Sequence, residues 1–124
     1  MPLIHVAMRT GKSQAYRQAI LDSLYQALRE ALDVPVDDQF MTLSEHTPGN
    51  FRHGGAYGVE RSEDVLYIDI TVFNTRTPEQ KKELFRRIAD RLAESPGVRP
   101  QDVFVVIADA PKENRSVGHG LPFA

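Results

Sequence analysis

Two residues stand out for the chemistry that their types and positions allow. Pro2 follows Met1 directly, so removal of Met1 would turn its nitrogen from a non-basic amide into a secondary amine. An ordinary α-amino group has a pKa of about 7.7–8.0, and burial in an apolar site disfavours the ammonium form. Such an amine is a free base at neutral pH, able to take a proton α to a carbonyl; kept protonated, it acts as an acid or polarises a carbonyl. The plain alternative is that Pro2 is a rigid start to an edge strand. Arg76 stands immediately before Thr77-Pro78-Glu79-Gln80, a strong helix start with an N-cap hydroxyl, proline at the first helical position and a capping-box glutamine. A guanidinium near a helix N-terminus is well placed to grip a carboxylate through its planar fork. Otherwise Arg76 is a solvated surface arginine.

The elements that must position these groups are written twice. Sliding the chain along itself so that Ile4 falls on Ile68 also puts Leu28 on Leu92, Glu30 on Glu94 and Val34 on Val98. In the same register Asp38 falls on Asp102, Phe40 on Phe104, Asn50 on Asn114 and Gly54 on Gly118. In the first half a strand from Leu3 to Met8 is followed by Ser13 as a helix N-cap. Tyr16, Ile20, Leu24, Ala27, Leu28 and Ala31 then recur at helical spacing. Beyond Val34-Pro35 a second strand is predicted near Phe40 to Ser44. In the second half Val65 to Phe73 alternates as a half-buried strand. Leu84, Phe85, Ile88, Ala89 and Leu92 form the helix stripe, Gly97 the stop, and Val103 to Ala108 a further strand.

Each half therefore reads as strand, helix, strand, with a crossover long enough to join parallel strands. The expected fold class is α+β: tandem β-α-β units forming a four-stranded mixed sheet with two helices on one face. It is a single domain over 1–124, with pseudo-repeats at about 1–60 and 65–124. The helix-free face would be left for a partner, so an oligomer is expected. His46 to Asp64 reads as a long loop with a small hairpin around Ala56 to Glu60, matched by a tail from Ala110 to Ala124.

The remaining features mostly exclude. With no cysteine, disulfides, thiolate catalysis and cysteine-containing zinc sites are ruled out. A net charge of −2 without a basic block points away from nucleic acid. No segment approaches a membrane span or a signal peptide, so a cytoplasmic protein is expected. His5, His46, His53 and His119 lack metal-ligand spacing. His5 is expected to face Asp69 across neighbouring strands as a structural pair. Gly54-Gly55 and Gly118-His119-Gly120 read as turns, since no strand-to-helix junction follows them. No cofactor or metal is expected.

A proline after the initiator methionine, opening a strand–helix–strand unit, resembles the tautomerase superfamily. Asn74-Thr75-Arg76-Thr77-Pro78-Glu79-Gln80-Lys81 resembles the arginine-bearing helix entry of 4-oxalocrotonate tautomerase. Pro48-Gly49-Asn50-Phe51-Arg52-His53-Gly54-Gly55 resembles its glycine-rich segment with a pocket phenylalanine. The tandem form, including Val34-Pro35-Val36-Asp37-Asp38 and Ser44-Glu45-His46-Thr47-Pro48-Gly49, is similar to the malonate semialdehyde decarboxylase branch. The resemblance implies a homotrimer with Pro2 in each active site, Arg76 binding a substrate carboxylate, and Asp38 working with the proline. Asp38 and Asp102 share a place before their strands, so turn capping is the alternative for both. Lys12 is the repeat-related partner of Arg76 and a vestige of the duplicated site.

Asn74 takes the place of that branch's second arginine, and its aromatic pocket residues are replaced near Arg115 and Val117. Asn74, Phe51 and Phe123 are the candidate substrate-binding residues beside Arg76. The implied activity is keto–enol tautomerisation or decarboxylation of a small carboxylate-bearing oxo acid or enol, with hydration of an unsaturated acid also open. A noncatalytic trimeric binding or signalling protein on the same fold is the alternative from another class, and a monomeric ferredoxin-like binding module a third.

Overall fold

The computed structural model describes residues 1–123, so the last residue of the predicted tail, Ala124, lies outside the described residues. The chain runs β1 (Leu3–Arg9), α1 (Gln14–Leu32), β2 (Phe40–His46), β3 (Leu66–Phe73), α2 (Pro78–Glu94) and β4 (Val103–Ala110), with short 3-10 turns at Pro48–Asn50, Pro100–Asp102 and Lys112–Asn114. Local signals account for the helix starts. The Ser13 hydroxyl accepts from the Tyr16 amide, and Thr77 and Gln80 exchange the two bonds of a capping box. α2 ends at Glu94, and Gly97, at φ 105°, turns its amide back to the Leu92 carbonyl.

The sheet order is β2-β1-β3-β4, with β1/β2 and β3/β4 parallel and β1/β3 antiparallel. Alternation in the central strands sends Ile4, Val6, Met8, Leu66, Ile68, Ile70 and Val72 into one core. There they meet Ile20, Leu24 and Leu28 of α1 and Leu84, Ile88 and Leu92 of α2. The other face carries no helix and exposes Leu3, Phe40, Phe104 and Val106. No helix among the described residues is long and apolar enough to cross a membrane.

Three details depart from the sequence reading. Phe85 is 41% exposed, because the buried line of α2 follows Leu84, Ile88 and Leu92, and the next residue along points about 100° round the helix. Residues 56–60 make a turn at Tyr57 and Gly58 without strand pairing, so there is no hairpin there. His5 does sit in register with Asp69, but its ring bonds to Thr42 and Ser44 on β2, the other neighbour of β1.

Strand order decides where the chemistry gathers. Because β1 and β3 are antiparallel, Leu3 pairs with Thr71, and on its other side with Phe40. The amino end of β1, the segment entering β2 and the exit of β3 toward α2 therefore share one edge. The opposite edge brings together the carboxyl end of β1 and the entry to β3.

Candidate active site

At the first edge, two concavities of about 480 and 540 Å³ meet, and Met1 and Phe40 line both. The first is walled by Pro2, Leu3, Thr71, Arg115 and Val117, the second by Asp38, Phe73, Arg76, Lys112 and Phe123. Their boundary is thus the amino terminus itself.

The terminal ammonium on Met1 has a pKa below its ordinary value, mainly because of burial. Asp38 opposes this shift, while Arg115, Arg76 and Lys112 reinforce it. One carboxylate and three cations therefore surround the start of the chain. Asp38 is buried and its Oδ1 has no hydrogen-bond partner, which is costly for a buried acceptor, about 1–3 kcal/mol. Arg76 donates through Nη1 to the Leu32 carbonyl at 2.7 Å, at the end of α1, so it is held between the end of one helix and the start of the other. Among the described residues it forms no ion pair. Arg115 donates to the carbonyls of Met1 and of Thr71, the latter at 2.7 Å, with its Cζ 5.0 Å from the Phe73 ring centroid. Lys112 stands over the Phe73 and Phe123 rings at 5.7 and 6.0 Å.

The opposite edge is the repeat-related copy, and its smaller concavity, about 240 Å³, is lined by charges that are paired within the chain. Asp102, the counterpart of Asp38, is fully buried and accepts from the Ser62 amide and hydroxyl, both at 2.6 Å. Lys12, the counterpart of Arg76, pairs with Asp64 at 3.0 Å, and Arg9 pairs with Glu63 at 3.2 Å. Among the described residues nothing donates to Asp38 Oδ1 or pairs a carboxylate with Arg76 as Ser62, Glu63 and Asp64 do for Asp102, Arg9 and Lys12. What three residues satisfy at one edge is left open at the other.

Of the residues singled out in the sequence, Pro2, Asp38, Arg76 and Phe123 come to this one edge. Asn74 is exposed and lines neither concavity; its backbone amide bonds to the Ala110 carbonyl. Phe51 lies at the other end of β1, stacked on Tyr67 at 4.9 Å with Arg9 above it. Lys112 was not singled out in the sequence, and Arg115 only as a position near which the resemblance implies replaced pocket aromatics, not as a site residue itself. A signal for Arg115 exists in the repeat register, which sets Arg115 on Phe51 and Phe73 on Arg9. The cation–aromatic pair is exchanged between the two edges.

The sequence matches the family described as tautomerase enzyme over residues 38–118, and a second pattern of the same description over residues 2–61. It is 36% identical over 121 residues to the probable tautomerase YusQ of Bacillus subtilis (strain 168), covering 97% of this chain and 95% of that protein. The fold superposes on FG41 malonate semialdehyde decarboxylase inhibited by 3-bromopropiolate with a TM-score of 0.89, at 32% identity and with 96% and 91% of the two chains covered. A fused 4-OT solved as a symmetric trimer gives 0.82 at 25% identity, with 97% and 94% covered. Matched from Pro2 through the whole repeated architecture, the chain belongs to the tautomerase family.

Proposed function

We propose that this chain is a homotrimeric enzyme that interconverts the keto and enol forms of a small oxo acid, with the Pro2 amine as its base once Met1 is removed. The observation that carries this reading is the difference between the two edges. The carboxylate of Asp64 against Lys12 is a template for a substrate carboxylate against Arg76, a free ion-pairing position beside the amino terminus. The substrate carbon α to the carbonyl then lies toward Pro2. The amine takes its proton, the C–H pair becomes the C=C bond, and the carbonyl π pair moves onto oxygen. Return of the proton to that oxygen completes the enol, and the reverse sequence gives the ketone. No oxidant or co-reactant enters.

Asp38 supports the amine through its unpaired Oδ1, either by hydrogen bonding to the ammonium or by holding a water. Phe123 walls the carboxylate end. Phe51 and Asn74 lie outside the concavities of a single protomer, so their roles as substrate contacts require a second copy of the chain at this edge. The trimeric fused 4-OT of the same fold supports such an assembly. Decarboxylation or hydration would draw on the same residues, and the similarity to malonate semialdehyde decarboxylase keeps both in the assay panel.

The test is the intact mass of the untagged protein, followed by a ketonisation assay with phenylpyruvate or 2-hydroxymuconate on the same sample. The expected result is a mass lacking methionine and turnover that Pro2→Ala abolishes. An active protein that retains Met1 would overturn the amine mechanism. A processed but inactive trimer would favour the noncatalytic binding protein.

A further inference from the structure

We propose that Arg115 binds the reacting keto oxygen, and that the Met1 carbonyl occupies its place until the methionine is cleaved. This rests on the amine reading above. The Met1 carbonyl carbon is bonded to the Pro2 nitrogen, so its oxygen lies about 2.2 Å from that nitrogen by standard peptide dimensions. Arg115 Nη1 donates to this oxygen. The guanidinium is therefore within roughly 5 Å of the Pro2 nitrogen, the span across which a base, an α-carbon and its carbonyl oxygen are arranged. Cleavage of Met1 removes the acceptor and leaves the donor in position.

The rest of the arginine is already fixed. Nη2 is anchored on the Thr71 carbonyl at 2.7 Å, and the guanidinium stands over Phe73. A donor held this way needs no reorganisation as negative charge develops on the enolate oxygen, where a preorganised group is worth most. At the opposite edge the matching cation, Arg9 over Phe51, is already neutralised by Glu63 at 3.2 Å. Arg115 has no carboxylate partner among the described residues. Arg76 and Arg115 line different concavities that meet at Met1, so one holds the carboxylate and the other the carbonyl. The ligand class that follows is a 2-oxo or 3-oxo acid, with Leu3, Phe40 and Val117 offering apolar surface to its remaining carbon chain.

The experiment compares binding of 2-oxobutanoate and butanoate, which differ by the keto oxygen, to the processed wild type and to Arg115→Met, Arg76→Met and Pro2→Ala by calorimetry. The wild type and Pro2→Ala should prefer the oxo acid by about tenfold. Arg115→Met should lose that preference while holding butanoate as before, and Arg76→Met should weaken both ligands together. In turnover, Arg115→Met should lower kcat by about 10²–10³, as for loss of one oxyanion donor, and raise KM by about the tenfold lost in binding. Its acidic limb should move to higher pH, because a cation that disfavours the ammonium is gone, and Arg115→Lys should restore the limb. An unchanged preference in Arg115→Met, or equal weakening of both ligands, overturns the assignment even if Pro2 proves catalytic. Inactivity of the wild type with the preference intact would instead sink the amine reading and leave Arg115 as a carbonyl-binding residue.

Discussion

Asp38 and Asp102 occupy the same place in two copies of one unit, yet only one is satisfied. Ser62 supplies two donors to Asp102, while Asp38 keeps an unpaired Oδ1 beside the start of the chain. Retaining such an acceptor is destabilising, a cost that the proposed hydrogen bond to the Pro2 amine would account for. Asp38 is also the anion that favours the charged form of the Met1 amine, against burial and three cations, and it would act with the same sign on an amine at Pro2. Asp38→Asn removes that support, so the amine pKa falls and the acidic limb of kcat/KM should move to lower pH. The maximal rate should fall by about 10² or more through loss of the hydrogen-bonding carboxylate. A pH–rate profile measured beside wild type checks both, and a limb moving upward would contradict the sign.

At the scale of elements, Arg76 depends on how α2 begins. It directly precedes the Thr77 cap, and its Nη1 bond to Leu32 ties the start of α2 to the end of α1. Thr77→Ala removes one side of the capping box and should cost about 1 kcal/mol in urea unfolding. Because the change loosens the proposed carboxylate anchor more than the proposed base, KM should rise while kcat stays within a few fold. The same dependence made much of this element legible beforehand. Thr77-Pro78-Glu79-Gln80 is a local signal whose hydrogen bonds are made within one turn, and it appears in the structure with both capping bonds. Phe85 was misread because an apolar residue next to a stripe cannot be told from one within it until the packing partner is known.

For the whole molecule, the helix-free face shows Leu3 and Phe40 at one end and Phe104 and Val106 on β4 to solvent, large apolar groups on a face that carries no helix. Trimer formation is the expected means of covering it. Val106→Asp, which places an unpaired charge on this face, should convert a three-protomer mass in light scattering to one protomer while the far-ultraviolet signal of the helices persists. A trimeric Val106→Asp would place the interface elsewhere.

The sequence by itself determined the repeat, the strand–helix–strand order of each half, the parallel pairing inside each unit and the special position of Pro2. These rest on periodicity, caps and alternation, whose causes lie within a few residues of each other. The tertiary structure decided which ends of the two units meet. The antiparallel junction of β1 and β3 set Asp38, Arg76 and Phe123 beside the amino terminus, carried Phe51 to the far edge and brought in Arg115 and Lys112. Arg115 reads as any surface arginine until the Met1 and Thr71 carbonyls are seen to aim it, because a side chain's charge is written in the sequence while the partners that orient it come from strands far away along the chain.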